Sequence, residues 1–244
     1  MVNLKSVKIQ LIIFLVIFVL YTALMDRNLI FLLSAAFCVA SAVLAEVCLR
    51  LSWNRRFVFS DSAVITGLII AFVLGSGQGL FIYVLASVLA IVSKYVVRIQ
   101  KRHIFNPAAF GIFSAILLFS ATTQWKGTYQ WYIILPAGLY FAYRIHKLGL
   151  LAGYAVTALS LWGVQALLEH VNILYIFGYF SYFFIFIMLI EPKTTPIRKA
   201  GKILFGGIVA LVIFIFTEAG LGFDVELLSL LIGNAAVPLL NRLK

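Results

Sequence analysis

Apolar runs long enough to cross a bilayer follow one another along almost the whole of this chain. A membrane-spanning helix needs about 20 consecutive apolar residues. Runs near that length fall at 9–25, 29–49, 61–75, 79–98, 105–121, 130–145, 148–168, 173–190, 201–218 and 224–240. Two depart from it. The third is bounded by Asp61 and by Gly75-Ser-Gly-Gln-Gly79, and the fifth opens at Asn106-Pro107, where proline is tolerated because the first helical turn has no partner for its amide. Both read as half-helices or strongly tilted ones. Composition agrees: 64% of the 244 residues are hydrophobic, 11% are charged and the mean hydropathy is +1.11. A soluble domain carries about 25% charged residues, so lipid must cover this surface. The first 24 residues resemble a secretory signal, but no small-residue cleavage site closes the run, so it reads as a retained first helix.

The net charge of +11 could suggest a nucleic-acid partner. Its distribution excludes one. With the N-terminus in the cytoplasm and ten spans, all of the 19 Lys and Arg except Arg27 and Lys126 fall on the inner side. That is the positive-inside pattern, and one missed span would scramble it. The sequence therefore predicts a multi-pass protein of the cell membrane with both termini cytoplasmic. Its basic loops then contact anionic lipid as a secondary effect. Cys38 and Cys48 sit in one apolar segment, too far apart along a helix for a disulfide, and the three His offer no zinc spacing. No metal site is expected.

The chain also reads as repeating itself. The first half has Thr66-Gly67 and Gly75-Ser-Gly, then Ile104-Phe-Asn106-Pro107-Ala-Ala. The second has Glu191-Pro192-Lys-Thr194-Thr195-Pro196, then Ile232-Gly233-Asn234-Ala-Ala-Val-Pro238. Asn106 and Asn234 would correspond. Five spans per half is an odd number, so the pseudo-repeats, approximately 1–124 and 125–244 of one membrane domain, must run in opposite orientations. Such inverted repeats place a binding site near the midplane, between broken helices. The expected fold is all-α and integral to the membrane, about ten helices in two inverted five-helix repeats with broken half-helices.

Several residues could carry chemistry. Asn106 and Asn234 are amides in apolar segments, and each either caps a helix or faces a ligand. The Glu191–Pro196 stretch is either a cytoplasmic loop or a broken helix whose threonine hydroxyls and free amides meet a ligand. Glu46 and Lys94 either form a relay or snorkel to the interface. The numerous Tyr and Trp form an aromatic belt first, with flavin stacking as a second use. The breaks converge on a predicted pocket lined by Thr66, Gly67, Asn106, Glu191, Thr194, Thr195 and Asn234. Gly67 and Gly233 would let a flat ring approach the backbone there.

Taken together, Ile65-Thr66-Gly67-Leu-Ile-Ile-Ala71, Ile104-Phe105-Asn106-Pro107-Ala108-Ala109 and Glu191-Pro192-Lys-Thr-Thr resemble one membrane family. It comprises the B subunit of the sodium-pumping NADH:quinone reductase and the D subunit of the Rnf electron-transport complex. The resemblance spans roughly residues 60–240, with the Phe-Asn-Pro-Ala run its most specific element. It implies ten helices in two inverted halves, a flavin-bearing electron carrier, and partner subunits in a membrane oxidoreductase complex with possible coupling to ion transport. Family members attach FMN through phosphate to the threonine of a Ser/Thr-Gly-Ala-Thr motif in the outer loop after the fifth helix. Here that loop reads Ser120-Ala121-Thr122-Thr123-Gln-Trp-Lys-Gly, without the glycine, and Glu191 replaces the usual aspartate. Covalent FMN at Thr122 or Thr123 is therefore not expected. The resemblance then implies a noncovalent flavin (FMN or riboflavin) or a quinone, or electron transfer to a separate flavoprotein. The alternative function is a channel or carrier for a small solute, because urea-channel-like proteins resemble the same five-plus-five plan.

Overall fold

A computed structural model describes residues 6–54, 60–99 and 102–242 of the chain. The fold is all-α, and the chain divides into two compact units, Met1–Gly127 and Thr128–Lys244. The first holds α1 (Val7–Met25), α2 (Leu29–Asn54), α3 (Asp61–Val73), α4 (Leu80–Val96) and α5 (Pro107–Phe119), with a two-residue antiparallel ladder between α4 and α5. The second holds α6 (Trp131–Arg144), α7 (Leu148–Leu168), α8 (Lys199–Glu218) and α9 (Val225–Leu240). Among the described residues, α1, α2, α7 and α8 are long and apolar enough to cross a membrane.

Local chemistry sets the helix ends. α1 stops where Arg27 turns left-handed at φ 48°, and Asn28 starts α2 by accepting the Phe31 amide at 3.1 Å. α3 and α5 are 13 residues each, about 20 Å at 1.5 Å per residue, well short of the roughly 30 Å hydrocarbon core. They are the short helices that the sequence predicts. Buried aromatics join α1, α2 and α3 in the first unit: Phe18 stacks on Phe72 at 5.0 Å, and Phe31 meets Phe72 edge-on at 5.4 Å.

Small residues bring helices together, as they do where lipid-like surroundings leave no hydrophobic force between helices. In the second unit Gly153 of α7 lies against the Ile203 carbonyl of α8, and Gly206 of α8 lies against the Leu150 carbonyl of α7. A Cβ at either position would collide with backbone, which cannot move aside as a side chain can. Gly153→Leu should therefore unseat α8 and lower stability by at least the 1–3 kcal/mol usual for overpacking. Thermal unfolding in detergent checks this, with Gly163→Leu as the control, because nothing lies within 4 Å of a Cβ built there.

Two expected elements differ. Residues 173–190 do not form one α-helix. Asn172 accepts the Leu174 amide, a 3₁₀ run covers Ile173–Tyr179, Phe180 is extended, and a wide π-type turn follows at Phe184–Met188. Aromatic and β-branched residues lose χ1 freedom in a helix, and Gly178 adds a further cost, so hydropathy alone overstates helicity here. The second difference is at Ile232–Pro238, where a break is expected. α9 instead runs unbroken from Val225 to Leu240.

Candidate functional site

In the first unit the sequence-predicted polar residues have local partners. Asn106 is buried and caps α5, its Oδ1 accepting the Ala109 amide at 3.0 Å. Capping is thus what the side chain does in this structure. Thr66, also buried, donates its hydroxyl to the Ser62 carbonyl one turn earlier, at 2.7 Å. Gly67 faces the α2 backbone: a Cβ would lie 2.6 Å from the Val39 Cα and 2.8 Å from the Cys38 carbonyl oxygen. The approach expected for a flat ring is taken by a neighbouring helix. Gly233 is similar, because a Cβ there would meet Val209 and Phe205 of α8. In this structure both glycines lie against a neighbouring helix.

The Ser62 carbonyl leads to a charged network that hydropathy obscures. Lys94 Nζ lies 3.4 Å from that carbonyl and 3.2 Å from the Ser62 hydroxyl. It also lies 3.7 Å from Glu46 Oε2. The other carboxylate oxygen, Oε1, accepts from Arg50 at 2.9 Å and from the Tyr95 hydroxyl at 3.0 Å. Arg50 reaches on to the Ser60 hydroxyl at 3.5 Å. Glu46 is 3% exposed. It does not snorkel: its carboxylate stays inside, with the Arg50 and Lys94 cations at 2.8 Å and 3.7 Å to compensate its charge. The sequence signal was Glu46 and Arg50 at i and i+4 within an otherwise apolar helix.

At the other end of the same unit, the loop after α5 is clasped to the loop after α3. Gly75 N donates to the Thr122 carbonyl at 2.8 Å, Gln124 N to Val73 O at 2.8 Å, and Lys126 N to Phe72 O at 2.7 Å. The Gln78 side chain closes the ring. Its amide nitrogen donates to the Thr122 carbonyl at 2.8 Å, while its oxygen accepts the Thr122 amide at 3.2 Å. Lys126 is buried, 3.7 Å from Asp26 and 5.0 Å from the centre of the Phe31 ring. Residues 26, 75–78 and 122–126 thus share one end of the unit. Glu46, Arg50, Ser60, Ser62 and Lys94 share another polar cluster.

In the second unit the structure brings four predicted residues together. Glu191 opens a turn in which Thr195 donates to the Glu191 carbonyl at 2.7 Å and Thr194 to the Glu191 carboxylate at 3.2 Å. Asn234, in the middle of α9, donates its side-chain amide to the Thr194 carbonyl at 3.0 Å. Lys147 at the start of α7 donates to the Pro196 carbonyl at 2.9 Å, and Asn241 accepts the Ile197 amide at 2.9 Å. Thr194, Thr195, Asn234 and Lys147 are all buried. Asn234 lies six residues before the last residue of α9, about 9 Å along the helix axis. The turn therefore enters the helical packing rather than lying across its end. Neither the lysine nor the asparagine tether was legible from sequence, because each joins segments at least 40 residues apart.

The two asparagines do different local work. Asn106 caps a helix, whereas Asn234 is mid-helix and bonds a loop; the cap of α9 is Asp224, whose carboxylate accepts the Leu227 amide at 2.9 Å. Chemically, the second-unit turn offers buried hydroxyls, an amide and the Lys147 ammonium beside one half-buried carboxylate. That set can position a neutral polar ring. No group of three or more His, Cys, Asp or Glu that could hold a metal occurs among the described residues.

The profile of the NQR2, RnfD, RnfE family matches residues 1–134. A comparison with curated proteins finds no match.

Proposed function

The chain belongs to the NQR2, RnfD, RnfE family, and on that premise we propose that it carries electrons by means of a noncovalently held flavin or quinone. Membership implies a membrane subunit of an ion-translocating electron-transport complex, and the apolar helices fit a multi-pass protein. The finer reading is ours. The Glu191–Thr195 turn and Asn234 hold the polar ring in the second unit, and the Thr66 and Asn106 region serves the same role in the first. Electrons then pass to other subunits or to a separate flavoprotein. On this reading the pseudo-repeats, approximately 1–124 and 125–244, are inverted, each with its own polar break, and both termini face the cytoplasm.

The observation that carries this reading is the turn itself. Irregular backbone buried in apolar surroundings is tolerated where its polar groups are satisfied by protein, water or ligand. Here threonine hydroxyls, the Asn234 amide and the Lys147 ammonium surround it, a donor-rich set that suits the carbonyls and ring nitrogens of a flavin or quinone. The bound group supplies the redox chemistry; the protein supplies orientation and exclusion of water. A covalent flavin is not expected at Thr122 or Thr123, because the motif glycine is absent from this loop. Acid precipitation of the purified protein tests this directly. Flavin should appear in the supernatant, and Thr122→Val and Thr123→Val should keep their visible absorbance. Flavin that stays with the precipitate and disappears in either variant overturns the noncovalent reading.

A further inference from the structure

Beside α6 and α7 lies a cavity of about 900 Å³, formed wholly by residues of the second unit. One face of α6 (Trp131, Leu135 and Leu139, spaced four apart) and one face of α7 supply two of its walls. Phe177 of the 3₁₀ run and the extended Phe180 after it close a third. None of its lining residues belongs to the polar turn or to the charged network. No charged residue lines it. Polar groups occur chiefly where α6 begins, at Thr128, Tyr129 and Tyr182, beside the Trp131 indole. The rims of its walls are open: Trp131, Leu139, Leu148 and Leu159 are each at least 42% exposed.

A void this apolar does not hold water, and left empty it would forfeit packing along its whole lining. Its extent says what fills it. From Leu148 to Leu159 the α7 wall is roughly 16 Å long, about half of a 30 Å hydrocarbon core, whereas a partner's spanning helix needs the full thickness. The polar end fits the same occupant: the Thr128 and Tyr129 hydroxyls and the Trp131 indole N–H are donors suited to ester carbonyls, Tyr182 being engaged with the Phe177 carbonyl, and no lysine or arginine lines the groove to take an anionic head. We propose that this groove is a specific site for an acyl chain of a membrane glycerolipid, with the ester region at the Thr128–Trp131 end.

The test uses the full chain purified in detergent, with its retained lipid extracted and counted by mass spectrometry. Wild type should keep acyl lipid through purification, and the doubly filled variant Ala152→Phe/Ala155→Phe should lose it several-fold. Val156→Phe adds the same bulk on the exposed face outside the groove, and should keep it. Ala155→Phe alone is a milder filling that should show a partial loss. In vesicles of phosphatidylcholine with brominated acyl chains, the Trp131 signal (wild type minus Trp131→Phe) should be quenched at brominated fractions several-fold below those needed in the filled variant. Equal retention and equal quenching in filled and unfilled proteins would mean a general lipid coat and overturn the site. So would wild type that retains no acyl lipid, or a groove-dependent molecule that proves to be an isoprenoid.

Discussion

Glu46→Leu should lower the stability of the first unit by about 3–5 kcal/mol, the cost usual for removing one member of a buried ion pair. The partners make the size of the effect. Lys94 keeps only 9% of its side chain exposed, so the loss of Glu46 leaves its ammonium poorly compensated. Arg50, at 28%, can turn outward and recover part of its solvation. Total stabilities of about 5–15 kcal/mol are typical, so this single change is a large fraction. Glu46→Gln should cost less, since the amide oxygen still accepts from Arg50 and Tyr95 but no longer balances Lys94. The double variant Glu46→Leu/Lys94→Met should recover most of the loss, because two matched apolar chains leave no orphan charge. Thermal unfolding in one detergent measures all three. A double variant as unstable as Glu46→Leu alone would show that the carboxylate acts on something other than Lys94.

Asn234→Asp should weaken cofactor binding by about 5- to 150-fold, with lower occupancy on purification, which is the second large effect. The change keeps the shape of the side chain and replaces the group that donates to Thr194 O with a carboxylate, which when ionised can only accept. Two acceptors then face each other in a buried position. Leaving a buried carbonyl unsatisfied costs about 1–3 kcal/mol, and the turn that presents Glu191, Thr194 and Thr195 should loosen by that amount. Asn234→Leu should lose occupancy as well, without the repulsion. Visible absorbance per mole of protein gives the occupancy, and unfolding temperature separates a loosened turn from a collapsed fold. Full occupancy in Asn234→Asp would remove the turn from the site.

Much of the helical framework is legible in the sequence because hydropathy and breaker residues act locally. α1, α7 and α8 begin and end close to where the apolar runs do, and Pro107 with Asn106 marks the start of α5 to the residue. What remained illegible has physical causes. The Ile173–Ile190 run is apolar enough for a span, but hydropathy is blind to the χ1 cost of its aromatics, and a 3₁₀ run and a π-type turn replace the helix. Gly233-Asn234 looked like an interruption because both are poor helix formers, yet packing of α9 on Phe205 and Val209 of α8 outweighs their propensity.

The candidate site divides the same way. That Asn106, Thr194, Thr195 and Asn234 deserved attention follows from the cost of polar groups in hydrocarbon. Which of them meet is set by bonds across long stretches of chain, such as Asn234 to Thr194 and Lys147 to Pro196, and no local pattern encodes these. Glu46 shows the opposite error. Its position near a helix end suggested a side chain reaching for water, but Arg50 one turn on and Lys94 on α4 compensate its charge in the interior.

A reduced-minus-oxidised difference spectrum of the purified chain tests the central claim most directly. The account predicts a bound redox group: bleaching of a flavin band on addition of dithionite, or an ultraviolet quinone difference, with intensity that falls in Asn234→Asp. A protein with no difference spectrum at all, which instead speeds flux of a small solute into liposomes, would contradict it.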